Sequence, residues 1–398
     1  MGFEIFKSSI GHFIASNVYK LIKPFWSLIG GRVGNKVDVI GFYDFVLTED
    51  KGRVVAPKTG NNKLINWLIP DFGKGSGGHL NIFRYIKKLE ERGYENNICI
   101  IGAHHHSSPE DAKAKIASYF FPLNANVVFG TENLPFAFYS FATGWTTAYA
   151  LKGFGNTVHK LYFVQDFEPY FYAHGSEYDF AEETYRFGFI GVCAGQWLAD
   201  TLKENYDMKT FSLGFSYDRE LYLPSERREP HIKRVFCYCR PPTVRRGLET
   251  ALLALNLVGK ELPGVKFIFA GWDMSGYEFE HEHLNAGVLS LEELPDLYSQ
   301  CDVALVLSFT NLSLLPLELM SCGCAVVSNS GANVEWLLNE SNSVITSASP
   351  KNLADVIVNL LKDEQRREEL INNAKVFASS TCWDSEAEKL VDALEGLQ

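Results

Sequence analysis

The twenty residues 308–327 constrain the fold of this chain more than any other segment. Before them, residues 302–308 (DVALVLS) form a short apolar run, which is typical of a buried strand in a parallel sheet. Pro316 then lies in the first turn of a predicted helix, where its missing N–H costs little. Gly323 ends that helix and Ala325 begins another strand. This order predicts an open α/β sheet.

The carboxyl end of that first strand is a candidate ligand site. Ligands of open α/β sheets bind at the carboxyl ends of the strands. Thr310 and Asn311 lie there, and Leu314 and Leu315 begin the helix, whose free N–H groups favour a phosphate. Glu318 follows in the first turn and can serve as a favourable charge on the helix dipole or as an acceptor for a ribose hydroxyl. We therefore predict half of a nucleotide-diphosphate site.

Size and charge limit the class of protein. The chain has 398 residues, 46% hydrophobic and 21% charged, which fits two soluble domains. Its net charge of −11 argues against nucleic-acid binding. The eight cysteines include two C-x-C pairs without a second half at zinc spacing, so we expect reduced thiols in a cytoplasmic protein. An uncharged apolar run of transmembrane length is absent, and the N-terminus does not resemble a cleavable signal peptide.

Residues 1–60 form an N-terminal arm that differs from the rest. Apolar residues between Ile10 and Phe25 recur at helical spacing, with Lys20 and Lys23 off that stripe. One interpretation is an arm packed on the body. The other is an amphipathic helix in peripheral contact with the inner face of a membrane.

From Leu64 onward, strands and helices alternate in two halves. The first begins with the strand Leu64–Ile69, a glycine-rich loop at 70–78 and a helix at 79–92, and the second begins near residue 235. We predict a doubly wound domain at 61–215, completed by a C-terminal helix at 384–398, and a second at 216–383. Further strands are predicted at 97–102, 127–129, 161–165, 189–192, 235–239, 266–270 and 303–307.

The glycine-rich loop would let a ligand approach the backbone at Gly77 and Gly78. It is not a P-loop, because no Lys-Ser/Thr follows the last glycine at the right spacing. It is not a dinucleotide fingerprint either, because a histidine triplet that starts at His104 replaces the acid expected after the second strand. Neighbouring residues of an extended segment point in alternating directions, so three adjacent histidines rarely share an ion. We expect no metal and assign His104 to the lining of the ligand cleft. A purely structural turn is the alternative for the loop.

Two further loops carry charge. Arg240 and Arg246 flank the start of a predicted helix, and gathered guanidinium groups favour a diphosphate, although solvated surface arginines are the alternative. Asp166 and Glu168 follow an apolar strand among aromatic residues. Carbohydrate sites combine aromatic faces with carboxylates, but a strand-end turn with aromatic packing fits as well.

Together these motifs resemble GT-B retaining glycosyltransferases of family 4. The order is a Gly-Gly loop, Arg…Arg-Gly, and a Glu-bearing helix start followed by MSCGCAVV; Trp383 before the last helix also matches. The resemblance covers roughly residues 64–398. Within the family, residues 165–169 (QDFEP) and the arm look most similar to WsaF-type rhamnosyltransferases, which build bacterial rhamnose glycans from dTDP-L-rhamnose.

The resemblance implies a GT-B fold: two Rossmann-like domains facing a cleft, with the C-terminal helix crossing back to the N-terminal domain. It implies that Glu318 holds the ribose, whereas the family's other motif glutamate, which contacts the donor sugar, is Thr310 here. That departure is compatible with a 6-deoxy sugar. The remaining donor contacts that it implies are Gly77, Gly78, Arg240 and Arg246 at the diphosphate and the backbone of Val288 and Leu289 at the base.

The predicted function is transfer of a sugar, with L-rhamnose from dTDP-L-rhamnose as the best candidate, to a polysaccharide or glycolipid. The resemblance implies retention of configuration, and we expect neither metal nor cofactor. Asp166, Glu168 and His104 are the candidate catalytic residues. The alternatives are a non-catalytic glycan- or nucleotide-binding relative and a nicotinamide-dependent oxidoreductase, which the missing second-strand acid disfavours.

Overall fold

The computed structural model describes residues 37–55 and 61–398. Its first sheet comprises β1 (Leu64–Ile69), β2 (Glu95–Ile100), β3 (Asn126–Phe129), β4 (Ala137–Ala142), β5 (Thr157–Val164), β6 (Ile190–Ala194) and β7 (Thr210–Leu213). Its second comprises β8 (Arg234–Tyr238), β9 (Lys266–Ala270), β10 (His283–Gly287), β11 (Val303–Val306), β12 (Ala325–Asn329) and β13 (Val344–Thr346).

The helices between the strands are α1 (Val39–Tyr43), α2 (Gly77–Glu90), α3 (Pro109–Tyr119), α4 (Trp145–Lys152), α5 (Ser176–Glu183), α6 (Gln196–Tyr206), α7 (Leu248–Glu261), α8 (Leu294–Ser299), α9 (Leu315–Ser321), α10 (Ala332–Glu335), α11 (Pro350–Lys362), α12 (Glu364–Ser380) and α13 (Trp383–Glu395). None of the helices within residues 37–55 and 61–398 is both long enough and apolar enough to span a bilayer.

Both sheets have the strand order of doubly wound folds. The first runs β3-β2-β1-β4-β5-β6-β7 and the second β10-β9-β8-β11-β12-β13. In the second sheet, Val303 of β11 lies opposite Val235 of β8 on one side and Ala325 of β12 on the other, all in parallel pairs. The carboxyl ends of β8, β11 and β12 therefore meet at one edge, where the chain order also reverses.

The strands are apolar because both faces are covered. Trp67 of β1 stacks on Phe141 of β4 with ring centroids 4.3 Å apart, and both side chains are buried. In the second sheet, Leu305 and Val327 lie in a cluster with residues of α7 and α11. Burial of each such side chain contributes about 1.5–3 kcal/mol.

The described chain divides into two compact units. The first contains residues up to 164, 179–191 and 207–209, and the second contains 165–178, 192–206 and 210–398. Asp166 therefore belongs to the same unit as Thr310 and the second sheet. The domain boundaries drawn from the sequence, after residues 60, 215 and 383, stay a prediction.

The last helix, α13, packs beside β7, the edge strand of the first sheet, and both lie in the second unit. The Gly214 N–H, just after β7, donates a 2.5 Å hydrogen bond to Glu386 Oε2 on α13. The predicted crossing of this helix to the N-terminal domain stays a prediction.

Residues 1–36 and 56–60 of the arm, including its predicted amphipathic helix, lie outside the described residues. The described part packs within the first unit: the Phe45 ring lies 5.7 Å from Trp145 and 5.6 Å from Tyr149, between ring centroids. The Lys51 N–H donates to the Lys152 carbonyl over 3.2 Å. Membrane contact by the arm stays a prediction.

Several elements differ from the sequence prediction. The helix expected at 79–92 is α2, which begins two residues earlier at Gly77 and ends at Glu90. The sequence prediction omitted β4, β7, β10 and β13. Strand β4 (AFYSFA) is buried along its whole length, so it has no alternation of polar and apolar residues to identify it.

Candidate functional site

The site is built on the loop that joins β11 to α9, residues 307–314. Ser308 fixes the start of this loop, because its backbone N–H donates to Asn329 Oδ1 (2.9 Å) and its carbonyl accepts from Asn329 Nδ2 (2.9 Å). Its hydroxyl lies 3.0 Å from the Thr310 carbonyl oxygen and 2.8 Å from the Asn311 carbonyl oxygen. Asn333 Nδ2 donates to the Thr310 carbonyl over 2.5 Å. The loop is thus held in one conformation by buried polar contacts.

Asp166 is the buried carboxylate of the site. It follows β5 and is 8% exposed. Its Oδ1 accepts from the backbone N–H of Asn311 (2.8 Å) and of Phe167 (2.9 Å), and its Oδ2 accepts from the Thr310 hydroxyl (2.9 Å). Arg245 Nε lies 3.4 Å from the same Oδ2. Both carboxylate oxygens are therefore occupied by donors from the protein.

The arginine-rich turn after β8 lies at the same sheet edge. Arg246 Nη1 donates to the Ser308 hydroxyl (2.7 Å) and to the Asn311 carbonyl (3.2 Å). The Arg245 guanidinium carbon lies 4.0 Å from the centre of the Phe171 ring, a cation–π contact. Arg240 is exposed, and its Nη1 lies 3.4 Å from the Tyr238 hydroxyl. Arg245 and Arg246 are thus fixed by the protein, whereas Arg240 extends toward solvent.

In this cluster, burial and the neighbouring opposite charges shift the pKa values in opposite directions. Burial raises the pKa of the Asp166 carboxyl, and Arg246, Arg245 and the donors from Asn311 and Thr310 oppose that rise. Burial likewise lowers the pKa of Arg245 and of Arg246, and the Asp166 charge opposes it. Two guanidinium groups sharing one carboxylate leave one positive charge in excess, so the cluster favours an additional anion.

Asn311 joins the loop to the ends of two further strands. Its Nδ2 donates to the carbonyls of Gln165 (3.0 Å), just after β5, and of Ala194 (2.6 Å), the last residue of β6. Its Oδ1 accepts from Trp336 Nε1 (2.9 Å). Gly195 has a φ of +98°, and a Cβ there would lie 2.6 Å from the Trp336 ring. The close approach of Trp336 therefore requires glycine at this position.

Glu318 lies on the first turn of α9 and is half-buried. It hydrogen-bonds with the Tyr222 hydroxyl, and burial followed by the Glu318 charge raises the pKa of that hydroxyl. Leu315 is the first residue of α9, and the Leu314 carbonyl accepts from the N–H groups of Leu317 (3.0 Å) and Glu318 (3.3 Å). The predicted contact between Glu318 and a ribose stays a prediction.

Val288 and Leu289 follow β10 at the edge of the second sheet. Val288 is exposed, whereas Leu289 packs against the core cluster that includes Tyr298. Gly287, at a φ of +62°, turns the chain just before them, and its carbonyl accepts from Gly271 N–H over 2.7 Å. The predicted role of their backbone at the base stays a prediction.

Gly77, Gly78 and His104 belong to the first unit, whereas Glu168 belongs to the second unit and lies on a turn that contacts the arginine-rich turn. Gly77 and Gly78 are the first two residues of α2 in the first unit, and a Cβ at Gly77 would meet nothing within 4 Å. His104, also in the first unit, is half-buried with its ring centroid 4.0 Å from that of Phe129. Glu168 is buried in a single 3₁₀ turn two residues after Asp166. The structure brings together Asp166, Arg246, Thr310 and Asn311.

Sequence reasoning did not assign several residues that build the site. Arg245 stands in the recognised arginine cluster, yet it is the arginine that lies closest to Asp166. Trp336, Asn333 and Asn329 were missed because they are polar or aromatic side chains in a region without any motif. The nearest feature of the sequence to these three residues is a pair of glycines, Gly195 and Gly331, both of which have positive φ in the structure.

One group in the first unit has metal-ligand chemistry. Asp71, His105 and His106 offer ligand atoms that all lie within 4.8 Å of one another. The two histidines are adjacent in sequence, but they lie on a loop rather than on an extended strand, so the alternation argument does not separate them. His104 is not part of this group.

Comparison with known proteins places these features in context. Residues 233–359 match the family model described as WsaF, C-terminal domain. The chain is 30% identical over 355 residues to the O-antigen biosynthesis protein RfbC of Myxococcus xanthus. That alignment covers 86% of this chain and 27% of RfbC, so the chain spans about a quarter of its relative's length.

Solved structures show the fold. Anabaena HepE, in complex with UDP and glucose, superposes with a TM-score of 0.63 at 16% identity, over 84% of this chain and 99% of HepE. The sucrose-phosphate synthase of Thermosynechococcus elongatus gives 0.63 at 13% identity, over 84% and 98%. Together with the two parallel sheets, these similarities confirm the predicted GT-B fold. The family-model match at residues 233–359 confirms the predicted resemblance to WsaF for that part of the chain.

Proposed function

We propose that this chain, which has a GT-B fold and resembles WsaF over residues 233–359, is a glycosyltransferase of O-antigen or related polysaccharide biosynthesis. The observation that supports this best is the cluster of Arg245 and Arg246 with one buried carboxylate, Asp166, at the carboxyl edge of the second sheet. An excess positive charge at that edge suits the diphosphate of a nucleotide-sugar donor.

The chemistry follows from where charge develops. Breaking the bond between the sugar and its leaving diphosphate oxygen places negative charge on that oxygen. The exposed Arg240 can donate directly to the diphosphate, while Arg246, fixed by Ser308 and Asn311, adds charge without reorganising. We infer that the arginines take the role that a divalent ion has in other transferases, so that transfer itself needs no metal.

Asp166 suits a positioning role in this mechanism. Both of its oxygens already accept hydrogen bonds from Thr310, Asn311 and Phe167, and it balances Arg245. Its carboxylate thereby holds the loop that begins α9 against the arginine turn. Glu168 and His104 remain the candidates for direct contact with the acceptor or reacting atoms.

We propose L-rhamnose, supplied as dTDP-L-rhamnose, as the donor sugar, transferred with retention to a polysaccharide or glycolipid hydroxyl. The WsaF match at 233–359 and the short Thr310 side chain support a 6-deoxy sugar. HepE was solved with UDP-glucose as well as with UDP and glucose, so a uridine donor is the competing proposal. Contact of the N-terminal arm with the inner membrane face belongs to the same proposal, because it would bring the enzyme to a lipid-linked acceptor.

The test uses the purified full chain with dTDP-L-rhamnose, UDP-glucose and other nucleotide sugars, and measures release of the free nucleotide with and without acceptor extracts. Arg240→Ala should lower turnover by about two to three orders of magnitude, the cost of one transition-state donor. Arg366→Ala, an exposed arginine on α12, is the matched control and should leave turnover unchanged. Equal turnover of Arg240→Ala and wild type would remove Arg240 from the site.

A second function is favoured by one observation, the threonine at position 310 where the resemblance implies a glutamate. A relative without that carboxylate could bind a nucleotide or glycan without catalysis. Tight nucleotide binding with no release of nucleotide from any donor, with acceptor extracts present, would support this binding function over transfer.

A further inference from the structure

A carboxylate and two imidazoles meet at the carboxyl edge of the first sheet. Strands β1 and β2 are parallel neighbours, so the loops that follow them start side by side. Asp71 lies two residues after β1, and His105 and His106 lie in the loop after β2. His105 Nδ1 is 2.7 Å from Asp71 Oδ2, and His106 Nε2 is 3.0 Å from Asp71 Oδ1. Each oxygen of the Asp71 carboxylate therefore faces one of the two imidazole rings.

A hydrogen bond to Asp71 explains the position of His105 but not that of His106. The contact between His105 and Asp71 has the geometry of a hydrogen bond. His106 does not: its side chain is fully buried, and neither ring nitrogen has a hydrogen-bond partner among the described residues. Burying an imidazole with a nitrogen beside a carboxylate oxygen but no hydrogen bond costs free energy, unless a cation joins the two.

The spacing fits a first-row divalent metal. Zinc binds imidazole nitrogen and carboxylate oxygen at about 2.0–2.2 Å, which places two tetrahedral ligand atoms about 3.3 Å apart. The nearest nitrogens of His105 and His106 lie 2.7 and 3.0 Å from oxygens of Asp71. One ligand atom from each of the three residues lies within 4.8 Å of the other two.

We propose that Asp71, His105 and His106 form a binding site for a zinc-like divalent metal ion in the first compact unit. Two nitrogens and one oxygen are a donor set for zinc, cobalt or nickel rather than for magnesium or calcium, which prefer oxygen ligands. This proposal does not rest on the proposed glycosyltransferase activity, because none of the three residues belongs to the arginine cluster.

A metal bound at this site would restrict the motion of the glycine-rich loop. Asp71 begins the segment that leads through Lys74 to Gly77, the first residue of α2. The Phe72 ring already packs on His106, with centroids 4.5 Å apart. A metal joining Asp71 to the loop after β2 would restrict residues 73–76, of which 73–75 are exposed and include the trypsin site at Lys74.

The experiment measures cobalt binding by the full chain. The protein is treated with a chelator, equilibrated with Co²⁺ by dialysis, and examined for bound metal and for visible absorption. We expect about one Co²⁺ per chain with the spectrum of nitrogen and oxygen ligands. Asp71→Asn and His106→Ala should lose it, and His104→Ala, from the same loop but outside the cluster, should keep it. The thiolate charge-transfer band identifies any cobalt held by Cys382 instead.

A second readout is tryptic cleavage at Lys74, which bound Zn²⁺ should slow several-fold in wild type and His104→Ala but not in Asp71→Asn. Asp71→Asn retains the size of the side chain and covers the case in which His106→Ala fails to fold. Absence of Co²⁺ binding in the wild-type chain, or equal binding by Asp71→Asn, would overturn the proposal and leave an Asp–His ion pair. Neither result bears on donor turnover, which is measured separately.

Discussion

The Thr310 hydroxyl donates a 2.9 Å hydrogen bond to Asp166 Oδ2, and both side chains are buried. A glutamate at position 310 would instead bring a second carboxylate toward Asp166, and two buried carboxylates at such a distance cannot both ionise cheaply. The threonine and the aspartate are thus mutually compatible, and a change at one position constrains the other.

We expect Thr310→Val to lower kcat for nucleotide release by roughly 10- to 100-fold, because a hydrogen bond to a charged group contributes about 1.5–3 kcal/mol. Valine keeps the shape of threonine but cannot donate to Asp166. Thr310→Ser keeps the hydroxyl and should retain most of the activity. If the serine and valine variants turn over donor equally, the hydroxyl has no role in positioning the loop.

Removal of the Arg246 side chain and removal of the Arg240 side chain should have different effects on stability. Arg246 donates to Ser308 and Asn311, so Arg246→Ala removes both hydrogen bonds and one positive charge that acts on the buried Asp166, and it should lower both turnover and the free energy of unfolding. Arg240 is exposed, so Arg240→Ala should lower turnover alone. Urea unfolding beside nucleotide-release assays separates the two effects, and equal stability loss in both variants would contradict this assignment.

Gly195→Ala should destabilise the chain more than Gly264→Ala. Both glycines have similar φ values, +98° and +102°, which L side chains rarely adopt, so alanine is strained at either position. A Cβ at Gly195 meets the Trp336 ring at 2.6 Å, whereas a Cβ at Gly264 meets nothing within 4 Å. Because Trp336 donates to Asn311, only Gly195→Ala should also reduce turnover. Similar melting temperatures and activities for the two variants would show that Trp336 moves away at little cost.

Stability should fall on acidification because of His79. Burial lowers the pKa of His79 to about 4, against smaller opposing effects of the Pro70 carbonyl and Asp71. Between its unfolded pKa of about 6.5 and the folded value, the unfolded chain binds the additional proton, so stability is lost as pH falls through this window. The full shift corresponds to roughly 3 kcal/mol.

Urea unfolding from pH 7 to pH 4.5 in the presence of EDTA measures this dependence. His79→Gln, which does not titrate there, should show a shallower slope than wild type. Identical slopes would assign the acid sensitivity to other groups.

Chelation should leave the transfer chemistry intact. EDTA should change wild-type turnover no more than Asp71→Asn does, because the proposed metal is held by Asp71 and the two histidines and does not itself contact the diphosphate. Restoration of a lost activity by Mg²⁺ or Mn²⁺, in both wild type and Asp71→Asn, would contradict metal-independent transfer.

Local pattern was sufficient for the fold but not for the site. The strand at 64–69 is β1 without any change, since an apolar run between a polar segment and a glycine-rich loop is a local signal. Apolar periodicity also predicts helices at 353–361 and 365–377, and these are α11 and α12, which extend further at both ends. Helix periodicity survives in these segments because each has one buried face.

The residues that contact Asp166 could not be predicted from local sequence patterns. Thr310 was recognised as a break in a family pattern and Asp166 as a carboxylate among aromatic residues, yet nothing local joins two positions 144 residues apart. For the same reason Arg245, rather than Arg240 or Arg246, could not be identified as the arginine next to Asp166. Such contacts are fixed by strand order, which determines which loops meet at a sheet edge.

The division of the chain into interleaved segments has a consequence for its synthesis. Residues 165–178 belong to the second compact unit, whose sheet begins only at Arg234 and is completed beyond β12. At about 5–20 residues per second, the 144 residues from Asp166 to Thr310 take on the order of 10–30 s to translate. During that interval the nascent chain exposes an acidic, aromatic segment without its binding partner. Ribosome-bound chains that stop before Thr310 should therefore be cleaved by protease at 166–169, whereas the finished protein, in which these residues are buried, should be protected there.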